Sequence, residues 1–272
     1  LYRSFSMTEV SGYSFVNEET LNLLKTNEQK ELRLKNPLSS EHDRLRRSLV
    51  PNMMQFIQFN QRFHEAFDIF ELGRVYLKDD RKSPDLISEN FRVAGTVFMK
   101  KPAAPLFYEA KTIASGLLKK LRVKSCELVP ASTALPAYAH PGRSMKVFIE
   151  GKEAGLIFEL HPETASAFEL NGNAAMFDID LNAVFNAEKL PFKFTELQKF
   201  PEVPFEISVI AERMTYSEDI RRIIMGCDKN LVRSATVFST YEGAPIPEGS
   251  KSVSFRVIFA SKEKTLEPSE IE

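Results

Sequence analysis

The chain has 272 residues, of which 43% are hydrophobic and 27% charged, and its formal net charge is −1. This length exceeds the usual size of one domain and can bury a sizeable core, so we expect two domains. No stretch approaches the ~18 uncharged apolar residues that a membrane helix needs, which indicates a soluble protein without a membrane partner.

The cysteines and the chain ends indicate a cytoplasmic fragment. Cys126 and Cys227 lie far apart and neither belongs to a CxxC motif, which disfavours a disulfide framework and a zinc knuckle. The opening LYRSFSMTEVSGYSF lacks the basic and apolar regions of a signal peptide. The closing TLEPSEIE stops where a helix begins, so we expect a fragment of a longer polypeptide.

The first 65 residues are predicted to combine a strand with three helical segments. Alternation predicts a strand over 7–16, and Asn17 is a suitable cap for the short helix that follows. From Ser40 the spacing of apolar residues becomes helical. Pro51 is tolerated only at a helix start, so we predict a helical turn, a break at Val50–Pro51, and a longer helix over 51–63.

Residues 66–190 are predicted to form an antiparallel sheet with helices against it. EAFDIFELGRVY and FRVAGTVFM are β-rich runs joined by a charged loop. An amphipathic helix follows over 105–122, then a hairpin that turns at Gly151-Lys152, then the strand AMFDIDL.

A proline-bearing stretch, NAEKLPFKFTELQKFPEVP, marks the domain boundary. We therefore divide the chain into a core domain, residues 1–192, and a tail domain, residues 199–272. The tail reads as strand, helix, strand, loop, strand, and Thr215 with Glu218 forms a capping-box pattern at the helix start. This order is that of a ferredoxin-like βαββ domain that lacks its last helix and strand.

The segment VFSTYEGAPIPEGSKSVSFRVIF, residues 237–259, predicts a hairpin with a functional loop. Tyr241 ends one strand and precedes a loop rich in glycine and proline, which would hold its ring at the exposed tip of a sheet as a platform for base stacking. The alternative is that the ring only packs at a strand end. On the returning strand, period-2 alternation turns Ser252, Ser254 and Arg256 away from the core.

The tail resembles the ferredoxin-fold anticodon-binding domain of the bacterial phenylalanyl-tRNA synthetase β-subunit family. The residues that carry this resemblance are Phe238, Tyr241, Gly243, Ile246-Pro247, Gly249, Lys251-Ser252, Arg256 and Thr265-Leu266. Upstream, NPLSSEHDRLRRSLVPNMM, FELGRVY, HPGRS and GLIFELHPETASAFEL resemble the synthetase-like core of the same family. The resemblance covers nearly the whole chain in the family's order.

The resemblance implies an α+β protein, with an antiparallel class II synthetase-like sheet and flanking helices followed by the truncated ferredoxin-like domain. It also implies that this chain is catalytically silent and assembles with a catalytic α subunit as an α2β2 tetramer, which acts on tRNA(Phe) and not on DNA. ATP and Mg²⁺ would act in the assembled enzyme through the α subunit.

Five residues are the expected tRNA contacts: Tyr241, Ser252, Ser239, Lys251 and Arg256. In the family, the tyrosine and serine at the positions of Tyr241 and Ser252 hold the first anticodon base. Two positions depart from the family pattern: Phe205-Glu206 stands where the family has Arg-Asp, and Ser239 replaces an aspartate.

Catalysis by this chain alone is disfavoured by the motifs. Adenylate formation on a class II fold needs arginines that clamp ATP, and the family's G-x-G-x-x-R motif occurs nowhere in the sequence. We therefore name no catalytic residue. His140 and His161 each precede a proline without a third ligand at suitable spacing, so no metal site is predicted. An autonomous adenylate-forming ligase and a stand-alone RNA-binding module remain as alternative hypotheses.

Two further surfaces are predicted on the core domain. The helix at 51–63 carries Met53, Phe56, Phe59 and Phe63, residue types that are common in the core and also enriched at interface centres, and we assign them to docking of the α subunit. Arg44, Arg46 and Arg47 are interpreted as a solvated basic face.

The charge of the tail domain argues against an autonomous RNA binder. From residue 199 onward there are ten Lys and Arg against twelve Asp and Glu, a net charge near −2. Attraction of phosphate is therefore weak, whereas a sequence-blind RNA binder normally has a basic face.

Overall fold

A computed structural model describes residues 1–26, 31–37, 39, 42–83, 86–192, 194 and 198–267. The chain folds as two compact units, Leu1–Pro191 and Phe192–Glu272. The elements of the first unit are, in chain order, α1 Tyr2–Phe5, β1 Thr8–Glu9, β2 Phe15–Val16, α2 Glu18–Leu23, β3 Leu32–Arg33, β4 Arg44–Leu45, α3 Val50–Asn60, β5 Ala66–Ser83, β6 Leu86–Met99, α4 Phe107–Lys120, β7 Cys126–Pro130, β8 Ala139–Ile149, β9 Lys152–Leu160, α5 Pro162–Ala167, β10 Asn173–Asp180 and α6 Leu181–Asn186.

A seven-stranded sheet organises the first unit, with the strand order β1-β5-β6-β10-β9-β8-β7. The short β1 is parallel to β5, and the other neighbouring pairs are antiparallel. The sheet is covered on both faces, as β10 shows. Its Ala175, Phe177 and Ile179 belong to the core beneath α4, whereas Ala174 and Met176 belong to the core beneath α3.

Glycine permits close approach at the centre of this sheet. Gly155 on β9 is paired with Ile179 of β10, and a Cβ atom at this position would lie 2.4 Å from the carbonyl oxygen of Asp178. Any larger residue would therefore force the two strands apart at this point.

Several local predictions for the first unit are confirmed. Asn17 caps α2, since its side-chain oxygen accepts a hydrogen bond from the Thr20 amide at 2.8 Å. The long antiparallel pair, the helix predicted over 105–122, and the hairpin at Gly151-Lys152 correspond to β5–β6, α4 and β8–β9. The predicted helical turn before Val50 is wrong over 42–49, because Arg44–Leu45 in this segment form β4, which pairs with both β2 and β3, and bends follow up to α3.

The second unit contains β11 Val203–Glu212, α7 Ser217–Cys227, β12 Val232–Tyr241 and β13 Ser250–Phe259. Its antiparallel sheet has the order β11-β13-β12. The two strands that flank α7, β11 and β12, are therefore separated by β13 at the centre of the sheet. This is the split βαβ arrangement of a ferredoxin-like domain. The predicted capping box is wrong: α7 begins at Ser217, its cap Tyr216 makes no side-chain capping bond, and Glu218 pairs with Arg221.

Candidate functional site

The face of the second sheet that points away from its core carries most of the predicted contact residues. Strand register places Ser252 opposite Tyr241 and Ser254 opposite Ser239. Directly paired residues share one face of a sheet, so these side chains form one surface at the β12–β13 end. Arg256 continues the same row on β13 and is paired with Glu206 of β11.

The opposite face of β13 faces the core, where Val253, Phe255 and Val257 are buried. Lys251 is two residues before Val253, so it lies on the same face of β13 as these buried residues, and it pairs with Ala211 of β11. The structure therefore does not bring Lys251 together with the other four predicted contacts, because a period of two turns it to the other side of the strand.

Tyr241 is held by its own loop. The ring is 51% exposed, and its hydroxyl donates a hydrogen bond of 2.8 Å to the Ala244 carbonyl. The loop closes through the Ile246 amide on the Gly243 carbonyl at 2.8 Å, and Gly243 adopts φ 127° as only glycine readily does. The ring is consequently exposed and already oriented, the two properties that a stacking platform requires.

Arg256 is positioned by two neighbours instead of standing free. It donates to the Glu206 carboxylate at 2.7 Å, and its guanidinium carbon lies 5.3 Å from the centre of the Phe238 ring. Glu206 thus supplies a carboxylate on β11 that fixes the arginine. Phe205, where the family resemblance leads one to expect arginine, pairs with Val257 on the core side and makes an edge contact with Phe259.

Three further residues belong to this surface that were not among the predicted contacts. Phe238 is half exposed at a register shift between Val237 and Ser239, a bulge that period-2 counting does not detect. Ser208 on β11 lies 2.8 Å from Ser254, hydroxyl to hydroxyl. Arg213 lies beside the loop, where its amide donates to the Gly249 carbonyl at 2.9 Å and its guanidinium pairs with Glu242.

The residues predicted for subunit docking divide into core and surface. Met53 is fully buried under the first sheet, so its assignment to an interface is wrong, and Phe56 is partly buried against the same core. Phe59 and Phe63 are 61% and 67% exposed, with ring centres 5.6 Å apart. An exposed aromatic pair at the end of α3 is therefore the part of the prediction that remains available for a partner.

The predicted solvated arginine face is wrong for Arg44 and Arg46, whereas Arg47 is partly exposed. Arg46 is 3% exposed and donates to the carboxylate of the equally buried Glu71 at 2.7 Å. Arg44 is also buried and pairs with Glu18 at 2.7 Å. Arg44 and Arg46 therefore owe their burial to carboxylates of Glu18 and Glu71, which lie about 25 residues away along the chain.

The two histidines considered as metal ligands act as local hydrogen-bond acceptors. His140 accepts from the Gly142 amide at 3.0 Å, and His161 accepts from the Glu163 amide at 3.2 Å. Across the described residues, no three His, Cys, Asp or Glu side chains are grouped so that they could hold a metal ion. Within the same residues, no helix is both long and apolar enough to cross a bilayer.

The comparisons with known proteins agree with both units. Residues 1–181 match the family model described as "Phenylalanyl tRNA synthetase beta chain CLM domain", and residues 198–272 match "Ferredoxin-fold anticodon binding domain". The phenylalanine–tRNA ligase β subunit of Bacillus subtilis (strain 168) is 30% identical over 97% of this chain and 34% of its own length. The corresponding subunit of Moorella thermoacetica is also 30% identical, with the same coverage.

The chain spans about a third of the length of the curated relatives it matches. Among solved structures, a pyrrolysyl tRNA synthetase of Desulfitobacterium hafniense superimposes with a TM-score of 0.53 at 17% identity. The match covers 66% of this chain and 62% of the other. At this identity the likeness concerns the fold, which is that of a synthetase with an antiparallel sheet.

Proposed function

The chain belongs to the phenylalanyl-tRNA synthetase β chain family, and from this premise we propose that it is a non-catalytic part of a phenylalanine–tRNA ligase. In this proposal the first unit docks the catalytic α subunit, and the second unit contacts the anticodon of tRNA(Phe). The assembled enzyme is an α2β2 tetramer of the cytoplasm, and ATP and Mg²⁺ act through the α subunit. The observation that carries the proposal is the exposed, loop-held ring of Tyr241 beside Ser252.

RNA contact is supported by the chemistry of the outward face of the second sheet. Bases in a single-stranded loop can stack on an aromatic ring and form hydrogen bonds along their exposed edges. Tyr241 supplies such a ring, and the hydroxyls of Ser252 and Ser239 lie in the same row as hydrogen-bonding groups. Arg256 adds a cation that Glu206 holds in place.

Docking of a catalytic partner is supported by the first unit. These 272 residues lack G-x-G-x-x-R, and in this proposal the α subunit supplies the arginine that such a motif would give to the ATP phosphates. The exposed pair Phe59 and Phe63 offers adjacent aromatic side chains of the kind that anchor protein interfaces.

The test is coexpression of this chain with the α subunit of the same organism, followed by measurement of copurification, tRNA(Phe) affinity and phenylalanine charging. We expect a stable complex in which Tyr241→Ala weakens tRNA(Phe) binding roughly 5- to 150-fold, the equivalent of the ~1–3 kcal/mol of one stacked base. Tyr241→Phe keeps the ring and should lose much less.

Tyr108→Ala is the matched control, since Tyr108 is an exposed tyrosine on α4 in the other unit. Equal tRNA(Phe) affinity of wild type and Tyr241→Ala would contradict the stacking role. Tight binding of arbitrary RNA with a steep salt dependence would favour the stand-alone RNA-binding module instead. ATP–pyrophosphate exchange by this chain alone would favour an autonomous ligase.

A further inference from the structure

The first unit contains a cavity of about 810 Å³ that neither RNA contact nor docking through Phe59 and Phe63 uses. It lies between α2, the start of α3, residues 134–138, and the sheet strands β6, β8, β9 and β10. Its volume is within the range of ~300–1,000 Å³ that is typical of small-molecule sites.

One wall of the cavity is a fixed polar network centred on Asp178. This buried carboxylate accepts from the Arg92 Nε at 2.6 Å and from the Ser48 hydroxyl at 2.9 Å. Burial raises the pKa of the Tyr138 hydroxyl, which also lines the cavity, so the phenol stays protonated. The charges of Arg92 and Asp178 therefore compensate each other before any ligand arrives.

Arg47 is the lining cation that forms no ion pair among the described residues, and the Glu31 carboxylate lines the same cavity. The Arg47 Nε is buried without a hydrogen-bond partner, and no hydrogen bond or ion pair joins its guanidinium to any described residue. The other lining cations each have a carboxylate partner, in the pairs Lys25–Glu163, Arg92–Asp178 and Lys146–Glu153. The two terminal nitrogens of the Arg47 guanidinium are not buried as its Nε is, so they can donate hydrogen bonds to an anion that enters the cavity.

The remaining wall is apolar and is formed by Leu21, Leu24, Leu135, Leu156 and Phe158. Apolar walls with few converging polar groups favour a ligand whose bulk is hydrocarbon and whose polar end is small. A guanidinium can donate two parallel N–H hydrogen bonds to one planar carboxylate. A triphosphate brings about four negative charges, which one arginine in a cavity also lined by the Glu31 carboxylate does not balance.

We propose that this cavity binds a small monocarboxylate with an aromatic or aliphatic tail, whose carboxylate pairs with Arg47 and whose tail packs on the leucines and Phe158. The site would be additional to the proposed function, because it requires neither the α subunit nor RNA. Its presence or absence can therefore be decided on the chain alone.

The test is calorimetric titration of the 272-residue chain with 3-phenylpropionate, with the neutral 3-phenylpropan-1-ol, and with Mg²⁺–ATP. We expect saturable binding of the carboxylate, at least ~10-fold weaker binding of the alcohol, and no comparable binding of Mg²⁺–ATP. Arg47→Gln should weaken carboxylate binding by ~10-fold or more. Arg62→Gln, at an exposed arginine that does not line the cavity, should leave it unchanged.

A second variant keeps the test decisive if Arg47→Gln disturbs folding. Ala137 is an exposed residue of the cavity lining, so Ala137→Phe should fill space at the opening and abolish binding while Arg47 remains. Equal affinity of the acid and the alcohol, unchanged binding by folded Arg47→Gln or Ala137→Phe, or binding of Mg²⁺–ATP in preference to the acid would each overturn the proposal.

Discussion

Replacement of Arg46 by leucine should destabilise the first unit far more than loss of an exposed arginine does. Arg46 and Glu71 are 3% and 1% exposed, and their ion pair has an N–O distance of 2.7 Å. The same guanidinium also donates to the carbonyls of Arg74 at 3.0 Å and Tyr13 at 3.3 Å, and to the Asn52 side chain at 3.2 Å. It therefore joins the segment before α2, the start of α3, and β5.

The magnitude follows from what the leucine leaves behind. In Arg46→Leu the buried Glu71 carboxylate would keep one described hydrogen bond, from the Gly12 amide at 3.2 Å, and its other oxygen has no partner already. Breaking one side of a buried ion pair costs ~3–5 kcal/mol because the remaining charge stays desolvated. The double variant Arg46→Leu/Glu71→Leu removes both charges, so we expect it to lose clearly less than the sum of the two single variants.

Urea unfolding followed by circular dichroism gives the free energies of unfolding for this double-mutant cycle. Lys124→Leu is the matched control, since its ion pair with Glu188 has a similar distance of 2.7 Å but lies at the surface, where the expected cost is below ~1 kcal/mol. A loss of less than ~1 kcal/mol in Arg46→Leu, or strict additivity in the cycle, would refute the reasoning.

Two further predictions concern pH and docking. Burial and the neighbouring Glu109 carboxylate raise the pKa of Asp68 to about 6 from an ordinary value of 3.8. Between these pH values Asp68 is protonated in the folded chain but not in the unfolded chain, so the free energy of unfolding falls as the pH rises from about 4 to 6. Asp68→Asn should remove this pH dependence in urea titrations. It should also stabilise the chain at pH 7 by ~1 kcal/mol after allowance for solvent screening. Phe59→Ser with Phe63→Ser should reduce copurification of the α subunit at least ~10-fold without lowering the melting temperature, because both rings are exposed; unchanged copurification would exclude this docking surface.

Much of the fold could be predicted because its strongest elements carry local signals. The amphipathic period of α4 and the alternation around the Gly151 turn are visible in short windows of sequence. The burial of the arginines before α3 could not be predicted in this way, since Glu71, the partner of Arg46, lies 25 residues away along the chain. β4 was missed for the same reason, because its pairing with β2 and β3 is a tertiary effect that overrides the local helical spacing.

The candidate site was predictable to the extent that period-2 alternation holds along its strands. It correctly separates Ser252 and Arg256 from Val253 and Phe255 on β13, which is regular. It fails on β12, where the bulge adds Phe238 to the outward face. Family resemblance had grouped Lys251 with these contacts, whereas strand parity places it on the other face.

The charge balance of the outward face limits what it can do alone. Arg256 and Arg213 are already paired with Glu206 and Glu242, so little net positive charge is available for phosphates. One stacked base contributes ~1–3 kcal/mol and one hydrogen bond ~0.5–1.5 kcal/mol, whereas micromolar binding requires about 8 kcal/mol. A face built on Tyr241 and Ser252 therefore cannot hold RNA tightly by itself. In the proposed function this face increases the tRNA affinity of an assembly that also binds the tRNA elsewhere. The increase should depend only weakly on the salt concentration.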